Sequence, residues 1–164
     1  MELKIRNYDE KDAQAILDII NYNIVNSTAL YDYNIRTLDD QSEILKEKLV
    51  KGFPVLVAYF DTTLVGFGYY SEFRFREAYK FTVEHSVYVL PTFTGKGVGK
   101  QLLEELIVCA QKQNLHTMIG VIDSENESSI AFHEKFGFEI VGNIKESGYK
   151  FDRWLHSIIL QKML

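Results

Sequence analysis

Between Val87 and Lys100 the chain runs from a β-rich stretch, Val87-Tyr88-Val89, through Pro91 into Thr94-Gly95-Lys96-Gly97-Val98-Gly99-Lys100, which opens an amphipathic helix. No other stretch limits the fold as strongly. Three glycines within five residues suit a tight strand-to-helix turn. Such a turn leaves bare backbone N–H groups at the helix start, where a phosphate can be held. A second block, Asn126 to Phe138, follows about one strand later and ends in Phe136-Gly137-Phe138.

The rest of the chain divides by periodicity. Leu3 to Arg6 reads as a first strand, and Asp9 as an N-cap before a helical stripe of Ala13, Ile16, Leu17, Ile20 and Ile24. Thr37 with Asp40 forms a capping-box pattern ahead of Ile44, Leu45 and Leu49. Val55–Phe60 and Leu64–Tyr70 around Asp61-Thr62-Thr63 predict a hairpin. Ser71 to Lys80 is a polar, aromatic loop before a long strand, Phe81 to Val89. Val98, Leu102, Leu103, Leu106, Ile107 and Ala110 mark one helix face. Thr117–Ile122 is the next strand, Asn126 starts another helix, and Gly137 stops it. Phe138–Val141 and Trp154–Leu160 complete the sheet. The order is a strand, two helices, a meander of three strands, then a β–α–β–α–β–β run. It implies one α/β domain over residues 1–164, a mixed, mostly antiparallel sheet of six or seven strands flanked by about four helices.

Composition removes several functions. A length of 164 residues with 46% hydrophobic residues fits a single globular core. The net charge of -5, without a basic stripe, argues against a nucleic-acid partner. The single cysteine, Cys109, excludes an internal disulfide and reads as a small apolar filler. The four histidines make no metal-ligand spacing, so no metal is expected. No signal-like leader or membrane-length apolar run is present, which predicts a cytoplasmic protein without a membrane partner.

The glycine loop has three readings. A P-loop needs glycine at position 94 and a hydroxyl after Lys100; Thr94 and Gln101 fail both tests. A dinucleotide fingerprint fits Gly95, Gly97 and a downstream acid, Asp123, but puts its third glycine at Lys100. An acyl-coenzyme A site fits better. The loop amides grip pyrophosphate, Lys96 and Lys100 add charge, and the pantetheine arm pairs with a splayed sheet edge.

The run from Val87 to Gly99, with Asn126, Ser129 and His133-Glu134-Lys135-Phe136-Gly137-Phe138 after it, resembles the GNAT superfamily of N-acetyltransferases. Tyr79 to Val89, Asn26 to Tyr31, and Gly148-Tyr149-Lys150 with Trp154-Leu155-His156 are similar to its phosphinothricin and methionine sulfoximine acetyltransferase group. The resemblance implies acetyl-CoA as donor and a primary amine as acceptor. It implies that Val87, Tyr88 and Val89 pair with the pantetheine, and that Gly95, Lys96, Gly97, Val98, Gly99 and Lys100 hold the pyrophosphate. Asn126 and Lys135 would lie near the coenzyme, and a homodimer is expected. Thr94 stands where the superfamily usually has Gln or Arg; since backbone amides do most of the gripping, weaker coenzyme affinity at most, and not loss of binding, is expected.

Attack on a thioester needs a neutral amine, whereas an alkyl ammonium loses its proton near pH ~10. Glu84, a carboxylate in an apolar strand on the face of Ser86 and Tyr88, is the candidate base. His85 points to the other face and reads as structural or surface. By the resemblance, His133 occupies the place of a tyrosine that donates to the departing thiolate, and Arg74 binds an acidic group of the substrate, with Tyr31 as a pocket wall. Arg76 neighbours Arg74, His156 is a minor candidate, and Tyr149 and Trp154 border the cavity or belong to the core. The acceptor is an amino-acid-like amine of the phosphinothricin or methionine sulfoximine type. A protein N-terminus, a polyamine, an antibiotic amine, or a non-catalytic acyl-CoA-binding module remain alternatives.

Overall fold

In a computed structural model of the protein, residues 2–164 are described. Strand β1 (Leu3–Asn7) leads through a 3-10 turn into α1 (Ala13–Asn26), and α2 (Leu38–Val50) follows. Then come β2 (Val55–Phe60), β3 (Thr63–Glu72), β4 (Thr82–Val89), α3 (Val98–Lys112), β5 (Thr117–Asp123), α4 (Glu127–Lys135), β6 (Glu139–Lys150) and β7 (Arg153–Met163). The seven strands form one sheet in the order β1-β2-β3-β4-β5-β7-β6. Neighbours are antiparallel except β4 and β5. That parallel pair is joined through α3, the crossover such a pair requires.

Local chemistry explains the helix starts. Asp9 caps the 3-10 turn Glu10–Asp12, one turn earlier than α1 itself, and shares a reciprocal capping box with Asp12. Thr37 and Asp40 form the same device at α2, each side chain satisfying the other's backbone N–H. Leu45 is fully buried from α2, but Leu49 is 45% exposed, so the apolar stripe is narrower than its sequence suggests.

The sheet separates two cores. α1 and α2 cover one face with Ile16, Ile20, Ile24 and Leu45 against Val57, Phe67 and Tyr88. α3 covers the other with Val98, Leu102, Leu103 and Leu106 against Val65, Val83 and Leu160. Strand β4 therefore alternates: Val83, Val87 and Val89 join the α3 side and Tyr88 the α1 side.

Strand β6 continues to Lys150, well beyond the expected end at Val141, and β7 runs to Met163. The sequence Gly142 to Gly148 lacks apolar alternation because β6 is the outermost strand and mostly exposed. A register shift between Ile144 and Gly148 also interrupts the pairing. The β6–β7 turn is made by Phe151 (φ 54) and Asp152 (φ 57), both left-handed without glycine.

Candidate active site

β4 and β5 are paired at Thr82 with Thr117, Val83 with Met118 and Glu84 with Ile119. Beyond Glu84 they part. β4 goes on pairing with β3 as far as Val89 with Gly66, and β5 with β7 as far as Asp123 with Ser157. The gap opens onto a cavity of about 350 Å³ lined by β4 from Glu84 to Tyr88, β5 from Gly120 to Asp123, and the loop Thr28–Tyr31. An unpaired strand edge facing a cavity offers backbone donors and acceptors to an extended ligand. Val87 and Tyr88 line it; Val89 continues the edge toward the glycine loop.

That loop sits at the end of β4, after the 3-10 turn Pro91–Phe93. Gly95 (φ 79) and Gly97 (φ 81) take the left-handed conformation, with Gly97 as the cap of α3. Gln101 N donates to Gly97 O, so the amides of Val98, Gly99 and Lys100 precede the first helical partner and face outward at the positive end of the helix. The Val98 side chain is buried and anchors the turn to the α3 core. Lys96 and Lys100 are exposed; the first lies over the Phe93 ring and the second reaches Glu104 at 3.8 Å.

Glu84 stands at the apex of the gap, on the last residue pair before the strands part. Burial pushes its carboxyl above the usual carboxylate range, with the Lys48 ammonium pulling the other way. Lys48 comes from α2 and lies 4.1 Å from the centre of the Tyr69 ring, which also lines the cavity.

His85 leaves β4 on the face away from Glu84 and meets His133 of α4, and both still line the same cavity. Their imidazoles stack at 4.9 Å, with their Nε2 atoms 3.0 Å apart. His133 Nδ1 lies 2.7 Å from the carbonyl of Ser129, which only accepts, so Nδ1 carries the proton. His133 Nε2 is then an acceptor, and His85 Nε2–H donates to it. His85 Nδ1 is left buried without a partner. Burial, with His133 beside it, drives His85 down to about 3, and burial also lowers His133. Both rings are neutral. Gly120 of β5 makes room for them: a Cβ there would lie 3.2 Å from His85 Nε2.

The other candidates scatter. Asn126 lines the cavity and caps α4, accepting from Ser129 N. Lys135 is exposed at the far end of α4, away from the cavity lining. Tyr31 is in the wall, but Arg74 is not. It lies in a second cavity of about 760 Å³ with Lys48, Lys51 and Arg76, its guanidinium stacked on Phe73. The two cavities adjoin at Ser71, which pairs with Glu84 across β3 and β4. Tyr149 and Trp154 neither border the smaller cavity nor enter the core; they pack edge to face on the exposed hairpin. His156 accepts from Glu146 N and steadies the β6 irregularity.

Asp123 and Thr28 form a pair that no local sequence pattern marks. Asp123 is 5% exposed and accepts from Thr28 Oγ1 at 2.7 Å and from Arg153 at 3.0 Å. An acid closing an apolar strand was the available signal; its partner 95 residues away was not.

Residues 5–159 match the family model described as Acetyltransferase (GNAT) domain. The chain belongs to the GNAT acetyltransferase family. This GNAT enzyme is 38% identical over 163 residues to the L-methionine sulfoximine/L-methionine sulfone acetyltransferase of Pseudomonas aeruginosa, covering 98% of this chain and 94% of that one. It is 36% identical over 149 residues to the phosphinothricin N-acetyltransferase of Alcaligenes faecalis, covering 84% and 76%. Among solved structures, the GNAT phosphinothricin acetyltransferase of Sinorhizobium meliloti in complex with acetyl-CoA superposes with a TM-score of 0.96. That protein is 34% identical and the match covers 100% of this chain and 89% of the other.

Proposed function

We propose that the protein transfers the acetyl group of acetyl-CoA to the α-amine of a small amino-acid-like substrate of the methionine sulfoximine or phosphinothricin kind, by direct attack in a ternary complex. The observation that carries this reading is the parting of β4 from β5 with Glu84 at its apex. The free β4 edge and the outward amides of Val98, Gly99 and Lys100 fit the two ends of the coenzyme, an extended amide chain and a pyrophosphate. The coenzyme supplies a thioester carbonyl as electrophile.

The chain's own groups do the rest. Glu84, held above the ordinary carboxylate range by burial, takes the proton of the acceptor ammonium, directly or through water. His133 remains the residue assigned to the departing thiolate, under one condition. Both its ring nitrogens are already bonded, so it must release Ser129 O or His85 to donate. Arg74 and the neighbouring Lys48 add positive charge in the adjoining cavity, where an acidic group of the substrate is favoured. The reading extends to a homodimer, the assembly that the resemblance implies. Light scattering at several concentrations reads the assembly.

The test is calorimetric titration with acetyl-CoA, followed by thiol release with methionine sulfoximine, phosphinothricin and a panel of other amines. Release with the first two supports the reading. Binding of acetyl-CoA without thiol release from any amine overturns it and leaves a binding module.

A further inference from the structure

The wall Thr28–Tyr31 belongs to the connection between α1 and α2, yet it is held by the opposite end of the sheet. Thr28 is bonded to Asp123 at the end of β5. Lys150, the last residue of β6 and 4% exposed, sends Nζ to Ser27 O at 2.7 Å and Leu30 O at 2.6 Å. A buried ammonium whose partners here are backbone carbonyls fixes the loop by charge-assisted hydrogen bonds. Tyr33 donates its hydroxyl to Tyr149 O on the same strand.

Tyr31 sits between these fastenings, and its ring lies directly on Gly148 of β6. A Cβ at position 148 would fall 2.6 Å from Tyr31 Cε2, 3.1 Å from Cδ2 and 3.3 Å from Cζ. Those atoms belong to the rigid ring, so any side chain at 148 must move the whole ring. The Tyr31 hydroxyl lies 3.5 Å from Ser157 Oγ, and the residue lines the cavity. The side chain of Tyr31 is 40% exposed, so the ring has somewhere to go.

We propose that Gly148 is a specificity-determining residue: it seats Tyr31, and the depth of that seat sets the length of acceptor side chain the cavity admits. The inference rests on the acetyl-transfer reading above. A methyl group at 148 lifts the ring, and the acceptor pocket shortens by the same displacement. Acceptors with an extended side chain, such as methionine sulfoximine, then lose more than alanine or glycine amide does.

The experiment measures kcat/KM by thiol release for alanine amide and methionine sulfoximine in the intact protein, Gly148→Ala, Tyr31→Ala and the double variant. In Gly148→Ala the ratio of long to short acceptor falls about tenfold or more, the range by which one methylene changes pocket discrimination. Adding Tyr31→Ala restores the ratio to that of Tyr31→Ala alone. An unaltered ratio in Gly148→Ala, or a loss that Tyr31→Ala does not relieve, overturns the inference. If Gly148→Ala fails to fold, Tyr31→Ala alone decides: it must widen acceptance of long side chains. Absence of thiol release from the intact protein with every amine is a failure of the functional reading, distinct from an active enzyme whose ratio does not move.

Discussion

Glu84 is placed at odds with stability, because a carboxyl whose range is raised by burial is costly to ionise in the folded state. Its contribution is fully favourable below the unfolded value near pH ~4.3 and is lost as pH rises through the folded value. Replacing it with Gln removes that charge. We expect Glu84→Gln to raise the Tm, by about 2–4 °C for each kcal/mol regained, while turnover drops about 10²–10⁴-fold. Acetyl-CoA affinity measured by calorimetry should stay close to that of the parent. Turnover of the parent should decline as pH falls through the raised value of Glu84, and a profile flat across that limb would remove Glu84 as the base. The histidine pair has the opposite linkage. His85 titrates near 6.5 when unfolded and at about 3 when folded, so the unfolded chain binds more protons between those values. Stability is complete above pH ~6.5 and falls as pH is lowered. Carboxylates held low, such as Asp12 and Asp123, act only below about pH 4–5. Urea midpoints at pH 7.0 and 5.0 should therefore differ more in the parent than in His85→Phe.

At the scale of elements, what the sequence discloses depends on how far apart the partners lie. The capping box of Thr37 and Asp40 and the hairpin of β2 and β3 are closed by neighbours, and both are where local patterns put them. The glycine turn is legible for the same reason. Gly97 needs φ 81 with nothing within 4 Å of a Cβ, so the constraint is backbone alone. We expect Gly97→Ala to cost about 1–2 kcal/mol in urea denaturation, and Gly97→Asn less, since Asn tolerates that conformation. β6 was only partly legible, because an exposed edge strand carries no apolar alternation and its turn uses Phe and Asp where Asn-Gly would be the signal. The position of Glu84 on the cavity wall was legible from the strand alternation of β4. His85 with His133 and Lys150 with the 27–30 loop join residues 48 to 123 apart, which no window along the chain contains. Lys150→Met should leave two carbonyls unpaired, costing about 1–3 kcal/mol each where they remain buried. A urea midpoint equal to the parent's would show that water replaces the ammonium.

On the scale of the whole molecule, strands β1 to β4 and strands β5 to β7 are two half-sheets whose ladders meet at three residue pairs. Each half is well braced internally, β3 with β4 over seven pairs and β5 with β7 over seven. The seam between them is the mechanically soft line of the protein. On the proposed reading, a ligand that lies along the β4 edge, ends on the amides of α3 and fills the cavity walled by Gly120 to Asp123 of β5 touches both halves, so the donor would be a structural member as well as a reagent. At a hundred times its dissociation constant such a ligand adds about 2.7 kcal/mol; for a chain of this length that corresponds to a Tm gain of about 5–10 °C. Hydrogen exchange should slow chiefly at the amides of β4 beyond Glu84 and at the start of α3, with the β6–β7 hairpin little affected. The enzyme would then be stiffest while loaded and loosest just after the spent coenzyme departs, which ties its resistance to heat and proteolysis to how well supplied the cell is with donor.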